Sequence, residues 1–304
     1  MDLNLLHLVF SLTIDGMVTD SFYLFDLSRR FPRAFREVTC GRTAPCDDCS
    51  ETTGCRWFPL FGRQLSTNPE AVRRHQKPPL PFVFAPPLLA PGPRAAADLE
   101  IRLTLVGSAI NHAGDFIRGV KRCYDDVGGG SKLLITLDGV SSRGVHDESS
   151  WVKTTKRGEL TGEFRILAAD DISGKPAGDN KELPLIFLTP FRQLREGRLL
   201  RTPDASAFLR GLIRRVSSLA AAYGEREPDG DFRLLAELSR DIKLTRNALF
   251  FVPATGSSRG GVQGSVSLSG NLTPFLPYLF LGEYLHAGKG ASWGYGQYQL
   301  TIDN

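Results

Sequence analysis

Strand-like and helix-like stretches follow one another in the order strand, helix, strand, strand, helix, strand, and the order then repeats loosely, with one extra strand at its start. No other feature restricts the fold as much, because each unit must bury its helices on one face of a sheet. Residues 3–14 set the first strand: Leu3, Leu5, Leu6, Leu8, Val9, Phe10, Leu12 and Ile14 are too densely apolar for a one-faced helix, and the run stops at Asp15-Gly16. Residues 21–38 have helical spacing, with Phe22, Phe25, Leu27, Phe31, Phe35 and Val38 against Arg29, Arg30, Arg33 and Arg36, and Pro32 is expected to break the helix or restart it. Strands are predicted at 80–84, 99–107 and 132–137, and a helix at 112–126. Polar residues 141–158 read as a loop and a boundary. In the second unit strands are predicted at 162–168, 184–189, 243–252, 262–269 and 293–302, and helices at 204–223 and 274–286. The reading is two α+β units, residues 1–145 and 146–304.

With 41% hydrophobic and 23% charged residues, wholesale disorder is excluded. The longest apolar candidates, near residues 3–14 and 272–285, are too short or too polar for a membrane span, and the amino terminus lacks a basic leader, so neither a membrane partner nor a signal peptide is expected. Five cysteines do not suit a disulfide framework, which points to a reducing, cytoplasmic setting.

The formal net charge of +4 conceals segregation. Between Arg29 and Arg42 five arginines face one glutamate. Between Arg192 and Arg215 seven arginines face only Glu196 and Asp204. Arg210 and Arg214 lie four apart on a helix whose other face is Phe208, Leu209, Leu212, Ile213, Val216 and Leu219. Arginine suits planar contact with phosphate, although a solvated helix face would look similar.

The stretch from His286 to Tyr298, HAGKGASWGYGQY, places glycines at 288, 290, 294 and 296 after an apolar helix. Such a loop lets backbone amides approach a phosphate, with Lys289 as a point charge; the alternative is a tight helix-to-strand turn without a ligand. A Walker spacing is absent. Cys40, Cys46, Cys49 and Cys55 fall in a turn-rich insert, 40–62, and could hold a structural zinc or be reduced thiols; only the central pair has zinc-knuckle spacing. Cys123 sits in a predicted helix and is assigned to the core.

The segments Gly261–Val266, Leu281–Glu283 and the glycine-rich loop, with PFVFAPP at 81–87, IRLTLVGSAI at 101–110 and the basic stretch 189–224, resemble in order the CRISPR-associated RAMP proteins. The closer resemblance is to the endoribonucleases that process precursor crRNA, the sixth Cas family. It implies two tandem ferredoxin-like (RRM-like) domains with a cysteine-rich insert in the first. It also implies metal-independent cleavage of CRISPR repeat RNA by 2′-hydroxyl attack, leaving a 2′,3′-cyclic phosphate, with the crRNA product retained. The alternative within the superfamily is a non-catalytic crRNA-binding subunit of an effector complex with other Cas subunits. A zinc-ordered protein-interaction module is a third class. With an RNA partner implied by the resemblance, the charge clusters and the glycine-rich loop make Arg29, Arg30, Arg33, Arg192, Arg210, Arg214, Gly288, Lys289, Gly290, Gly294 and Gly296 the candidate RNA contacts. The family places a histidine or tyrosine, often with a lysine, in the first helical region; residues 17–39 hold Tyr23 but neither histidine nor lysine. The catalytic candidates are therefore His286, as a base near neutral pH, with Tyr23 as acid or base and Arg36 for transition-state charge.

Overall fold

The structure is a computed structural model that describes residues 2–40, 46, 49, 54–62, 78–125, 133–144, 148–154, 160–173, 182–225 and 230–301. The first unit has strands β1 (Asn4–Val18), β2 (Phe82–Ala85), β3 (Gly92–Val106) and β4 (Leu133–Arg143), with helices α1 (Leu27–Thr39) and α2 (Ala113–Asp125). The sheet order β2-β3-β1-β4 is antiparallel and continues through β5 (Ser149–Thr154) and β6 (Leu160–Thr161), while β7 (Ile166–Ala168) pairs with the start of β1. The second unit has β8 (Glu182–Phe191), the short hairpin β9 (Leu194–Arg195) and β10 (Arg198–Leu199), helix α3 (Ala205–Tyr223), β11 (Lys243–Val252), β12 (Gly261–Ser269), helix α4 (Leu276–Leu285) and β13 (Tyr298–Leu300). Its order, β11-β12-β8-β13, matches the first unit's strand for strand. Both units are ferredoxin-like, as expected.

Burial explains why each strand lies where it does. Alternate β1 residues Leu6, Leu8, Phe10 and Leu12 enter the first core with Ile101, Leu103 and Leu105 of β3. Leu5, Val83 and Val106, on the opposite face, join the core built by α3, α4 and the second sheet. The second unit's helices thus touch both sheets, and this contact fixes the two units against each other.

Four expectations are corrected. The first sheet does not end at residue 145; β5, β6 and β7 carry it to Ala168, because their polar residues lie on antiparallel strands with one solvated face. Within 141–158, residues 141–143 and 149–154 are therefore strand. Pro32 sits inside an unbroken α1. Its lost hydrogen bond is offset by burial of Phe31, whose ring lies 4.8 Å from Phe84 and 5.6 Å from Phe116. The last strand is only three residues long, because positive φ at Gly290, Gly294 and Gly296 keeps the preceding segment from extending. A helix at Phe232–Leu238, not expected, is capped by the Asp231 carboxylate, which accepts from the Leu234 amide at 2.9 Å.

Candidate nucleic-acid interface

A groove of about 970 Å³ runs between the end of β8, the exposed side of α3 and the glycine-rich loop; Arg192, Arg210, Arg214 and Lys289 line it with Phe191 and Phe208. The α3 helix presents its arginines here because Phe208, Leu209, Leu212 and Val216 occupy its buried face. Among the described residues no carboxylate forms an ion pair with any of these four cations. Arg192 lies with its guanidinium carbon 5.6 Å from the centre of the Tyr295 ring, and its Nε is buried without a hydrogen-bond partner. Burial holds its pKa below the usual arginine value. Arg215, one position further on, is half-buried: Nε donates to the Leu285 carbonyl at 2.8 Å and Nη2 to the Ser292 hydroxyl at 3.3 Å. It caps the carboxyl end of α4, where a cation opposes the helix dipole, and burial lowers its pKa to about 10.

The first arginine cluster is different. Arg33 donates to Glu37 at 2.9 Å, Glu37 also accepts from Arg122 at 3.1 Å, and Arg29 and Arg30 each lie 3.6 Å from Asp26. Hydrogen bonds from Arg33 and Arg122 hold the Glu37 carboxyl below its ordinary pKa. The Arg30 guanidinium lies over the Tyr23 ring at 5.5 Å and the Tyr124 ring at 5.9 Å. Asp26 and Glu37 thus engage three of the four arginines of α1 together with Arg122, whereas the four groove cations have no ion-paired carboxylate among the described residues.

The glycine-rich loop is mainly a docking element. The Ala287 amide donates to Gly296, Lys289 to Arg192, Gly296 to Pro190, and Gln297 to the Thr189 hydroxyl. Many of the amides expected to cradle phosphate are therefore already engaged. A Cβ at Gly296 would stand 1.9 Å from the Ala287 oxygen, and one at Gly294 would stand 2.5 Å from Pro86. Trp293 stacks on Phe84, with ring centres 6.0 Å apart. The PFVFAPP motif and the glycine-rich loop, two separate sequence signals, pack on each other. Only the tip at Gly288-Lys289 is exposed to a ligand, with Gly290 partly covered; Gly294 and Gly296 are buried.

The catalytic candidates do not converge. His286 is 1% exposed, at the carboxyl end of α4 with φ of 57°. Burial, with the charge of Arg215 secondary, lowers its pKa to about 3, so it is neutral and lies behind the loop it was expected to serve. Tyr23 and Arg36 are thirteen positions apart on nearly continuous helix, roughly 20 Å of axial rise, so they do not share one phosphate. Cys40, Cys46, Cys49 and Cys55 are each partly exposed. Among the described residues no three metal-ligating side chains gather to hold an ion. The remainder of the 40–62 insert lies largely outside the described residues.

The sequence reading passed over Arg259, Tyr295 and Asp20. The Asp20 carboxylate accepts from the Phe22 and Ser257 amides, both at 2.9 Å, and ties the first unit to the loop between β11 and β12. The Tyr295 hydroxyl accepts from the Arg259 amide at 3.0 Å and donates to the Ser257 carbonyl at 3.2 Å. The signal for Tyr295 was its place among the loop glycines; Arg259 had none beyond its position before Gly260-Gly261.

Residues 185–298 match the family model described as CRISPR-associated endoribonuclease Cas6, and residues 29–161 match a second model, of an N-terminal domain. No curated protein matches the chain. Among solved structures, a Cas6 product complex superposes with a TM-score of 0.57 at 17% identity, covering 98% of this chain and all of that one. Thermus thermophilus Cas6 gives 0.55 at 15%, over 99% of this chain and all of that one. A partial Cas6-RT-Cas1–Cas2 complex gives 0.58 at 12%, over 99% of this chain and 46% of that one. At these identities the structures establish the shared fold. Among the described residues no helix is long and apolar enough to cross a membrane.

Proposed function

We propose, from the match of residues 185–298 to the Cas6 endoribonuclease model and the likeness of the whole chain to that fold, that this protein binds CRISPR repeat RNA and cleaves it to mature crRNA. The observation that carries the reading is the groove of Arg192, Arg210, Arg214 and Lys289, whose cations lack carboxylate partners among the described residues. Polyanion backbone supplies the missing charge. A groove lined by arginines on a rigid helix also suits A-form RNA, which is read largely through its backbone and shape.

The proposed chemistry is attack of a ribose 2′-hydroxyl on its own 3′-phosphate. A bond forms from the 2′-oxygen to phosphorus and the bond to the 5′-oxygen breaks. The ends are a 2′,3′-cyclic phosphate and a 5′-hydroxyl. Fixed cations would stabilise the charge that develops on the phosphoryl oxygens, a role for which no metal is invoked. Retention of the crRNA and association with other Cas subunits belong to the same proposal. A structural zinc on Cys40, Cys46, Cys49 and Cys55 remains a separate proposal. One zinc per chain, lost in Cys46→Ser, supports it; metal-free protein removes it.

A second reading, a non-catalytic crRNA-binding RAMP subunit, is favoured by the burial of His286, which leaves no histidine in the lining of the groove among the described residues. End-labelled repeat RNA incubated with the protein in EDTA separates the two. Cleavage abolished by a single 2′-deoxy substitution supports the nuclease. Tight binding with the RNA left intact supports the subunit.

A further inference from the structure

We infer that the scissile phosphate is held where the two units meet, against the hydrogen-bonded pair of the Ser28 hydroxyl and the Arg259 guanidinium, which makes Arg259 a catalytic residue supplied by the second unit. The inference rests on the RNA-cleaving reading above and assigns the cleavage site to residues outside the catalytic set expected from sequence.

Arg259 Nη2 donates to Ser28 Oγ at 3.2 Å, a contact between residues 231 positions apart. Ser28 lies in the first turn of α1, and Arg259 in the loop between β11 and β12. The backbone on which Arg259 stands is fixed by hydrogen bonds from three directions. Its own amide donates to the Tyr295 hydroxyl at 3.0 Å, the Ser257 amide donates to Asp20 at 2.9 Å, and the Gly260 amide donates to Ser258 Oγ at 3.1 Å. Gly256, with φ of 53°, leaves no room for a side chain against Asp20: a Cβ would stand 2.9 Å from the carboxylate. The Arg259 side chain is nevertheless exposed. A rigid base under an exposed cation is the arrangement that stabilises charge developing in a transition state without reorganisation.

The charges around it point the same way. Arg259 has no ion-paired carboxylate among the described residues, and it lies close enough to Arg192 to disfavour that residue's charged form. Tyr295 ties the pair together: the Arg192 guanidinium lies on its ring and the Arg259 amide donates to its hydroxyl. Asp20, which contacts the same loop at Ser257, is engaged by backbone amides, and Asp26, two positions before Ser28, by Arg29 and Arg30. Like charges held together beside a groove of further unpaired cations cost free energy, and a phosphodiester between them relieves it.

The hydroxyl and the guanidinium have complementary roles. Ser28 Oγ accepts from Arg259, so its own proton is free to be donated to a non-bridging phosphate oxygen. Arg259 offers its remaining N–H groups to the charge that grows as the 2′-oxygen attacks. The P–O2′ bond forms and the P–O5′ bond breaks. One proton leaves the 2′-hydroxyl and one reaches the 5′-oxygen, both exchanged with water, so no oxidant, reductant or metal is required for balance.

The test is single-turnover cleavage of end-labelled repeat RNA in EDTA with protein in excess, beside the affinity for the same RNA carrying a 2′-deoxy residue at the cut. Loss of one preorganised donor predicts a fall in the cleavage rate of about 100-fold or more for Arg259→Ala, with affinity changed less than about 3-fold. Arg259→Lys, which keeps the charge, should restore part of the rate, and Ser28→Ala should give a smaller loss that does not multiply with Arg259→Ala. Cleavage by Arg259→Ala within about 3-fold of the native rate overturns the inference, as does a rate loss matched by an equal loss of affinity. Native protein that binds the RNA and leaves it uncut overturns the nuclease reading itself, and is distinguishable because no variant is then needed.

Discussion

Replacing Arg210 and Arg214 together by alanine tests which of the two arginine clusters meets RNA. Each groove cation that neutralises one phosphate adds about 0.9 to the slope of log affinity against log salt on a duplex, or about 0.7 on a single strand. Arg192, Arg210, Arg214 and Lys289 line the groove. Together they contribute a slope of about −2.8 to −3.6, so raising salt fourfold weakens binding by about 50- to 150-fold through these contacts. Removing two of them should reduce the slope by about 1.4 to 1.8 and the fourfold-salt loss to about 7- to 12-fold. Both side chains are exposed and neither belongs to the core, so the fold is not at risk. The matched control is Arg33→Ala in α1. Arg33 already shares Glu37 with Arg122, and its removal should leave the slope within about 0.3 of native. The assay is filter binding of repeat RNA across a series of potassium chloride concentrations. The reasoning is refuted if Arg33→Ala lowers the slope as far as the double variant does.

Gly296→Ala should destabilise the second unit by about 3 kcal/mol or more, from a residue forced to positive φ and from displacement of two backbone hydrogen bonds; a thermal midpoint within 2 °C of native, by about the usual scaling, would contradict it. Phe31→Ala removes the ring at the centre of the first core and should cost about 3–5 kcal/mol in urea unfolding, with an unchanged midpoint as the contrary result. His286 is neutral in the folded state, with its pKa lowered to about 3 by burial. Between about pH 6.5 and that value the unfolded chain binds a proton that the folded chain does not, so stability falls on acidification by up to about 1.4 kcal/mol per pH unit. His286→Asn, which tolerates positive φ, should flatten that part of the profile, and an unchanged acid slope would assign it to other groups.

The local elements were legible in the sequence because their signals are local. The dense apolar run of β1, the amphipathic spacing of α3 and the alternation in β3 each follow from the period at which one segment buries one face. Where tertiary burial overrode a local rule, the reading failed: Pro32 stays within α1 because Phe31 packs into the core, and the polar strand β5 exists because β4 pairs with it. The candidate site was legible in part. Arg192, Arg210, Arg214 and Lys289 were found from charge and spacing, and they meet in one groove. His286 sits in the same motif, but only the fold reveals that it faces inward.

The sequence by itself determined that this chain makes two α+β units of like element order, with its positive charge held in two clusters, since composition and periodicity depend only on neighbours along the chain. The tertiary structure alone decided that Arg192, Arg210, Arg214 and Lys289 line one groove, and it brought Arg122 of α2 to Glu37, one helical turn from Arg33. It alone also set Arg259 beside Ser28, 231 residues away in sequence. Coulomb and hydrogen-bond energies act over a few ångströms in space, and distance along the chain carries no information about them until the two units are packed together.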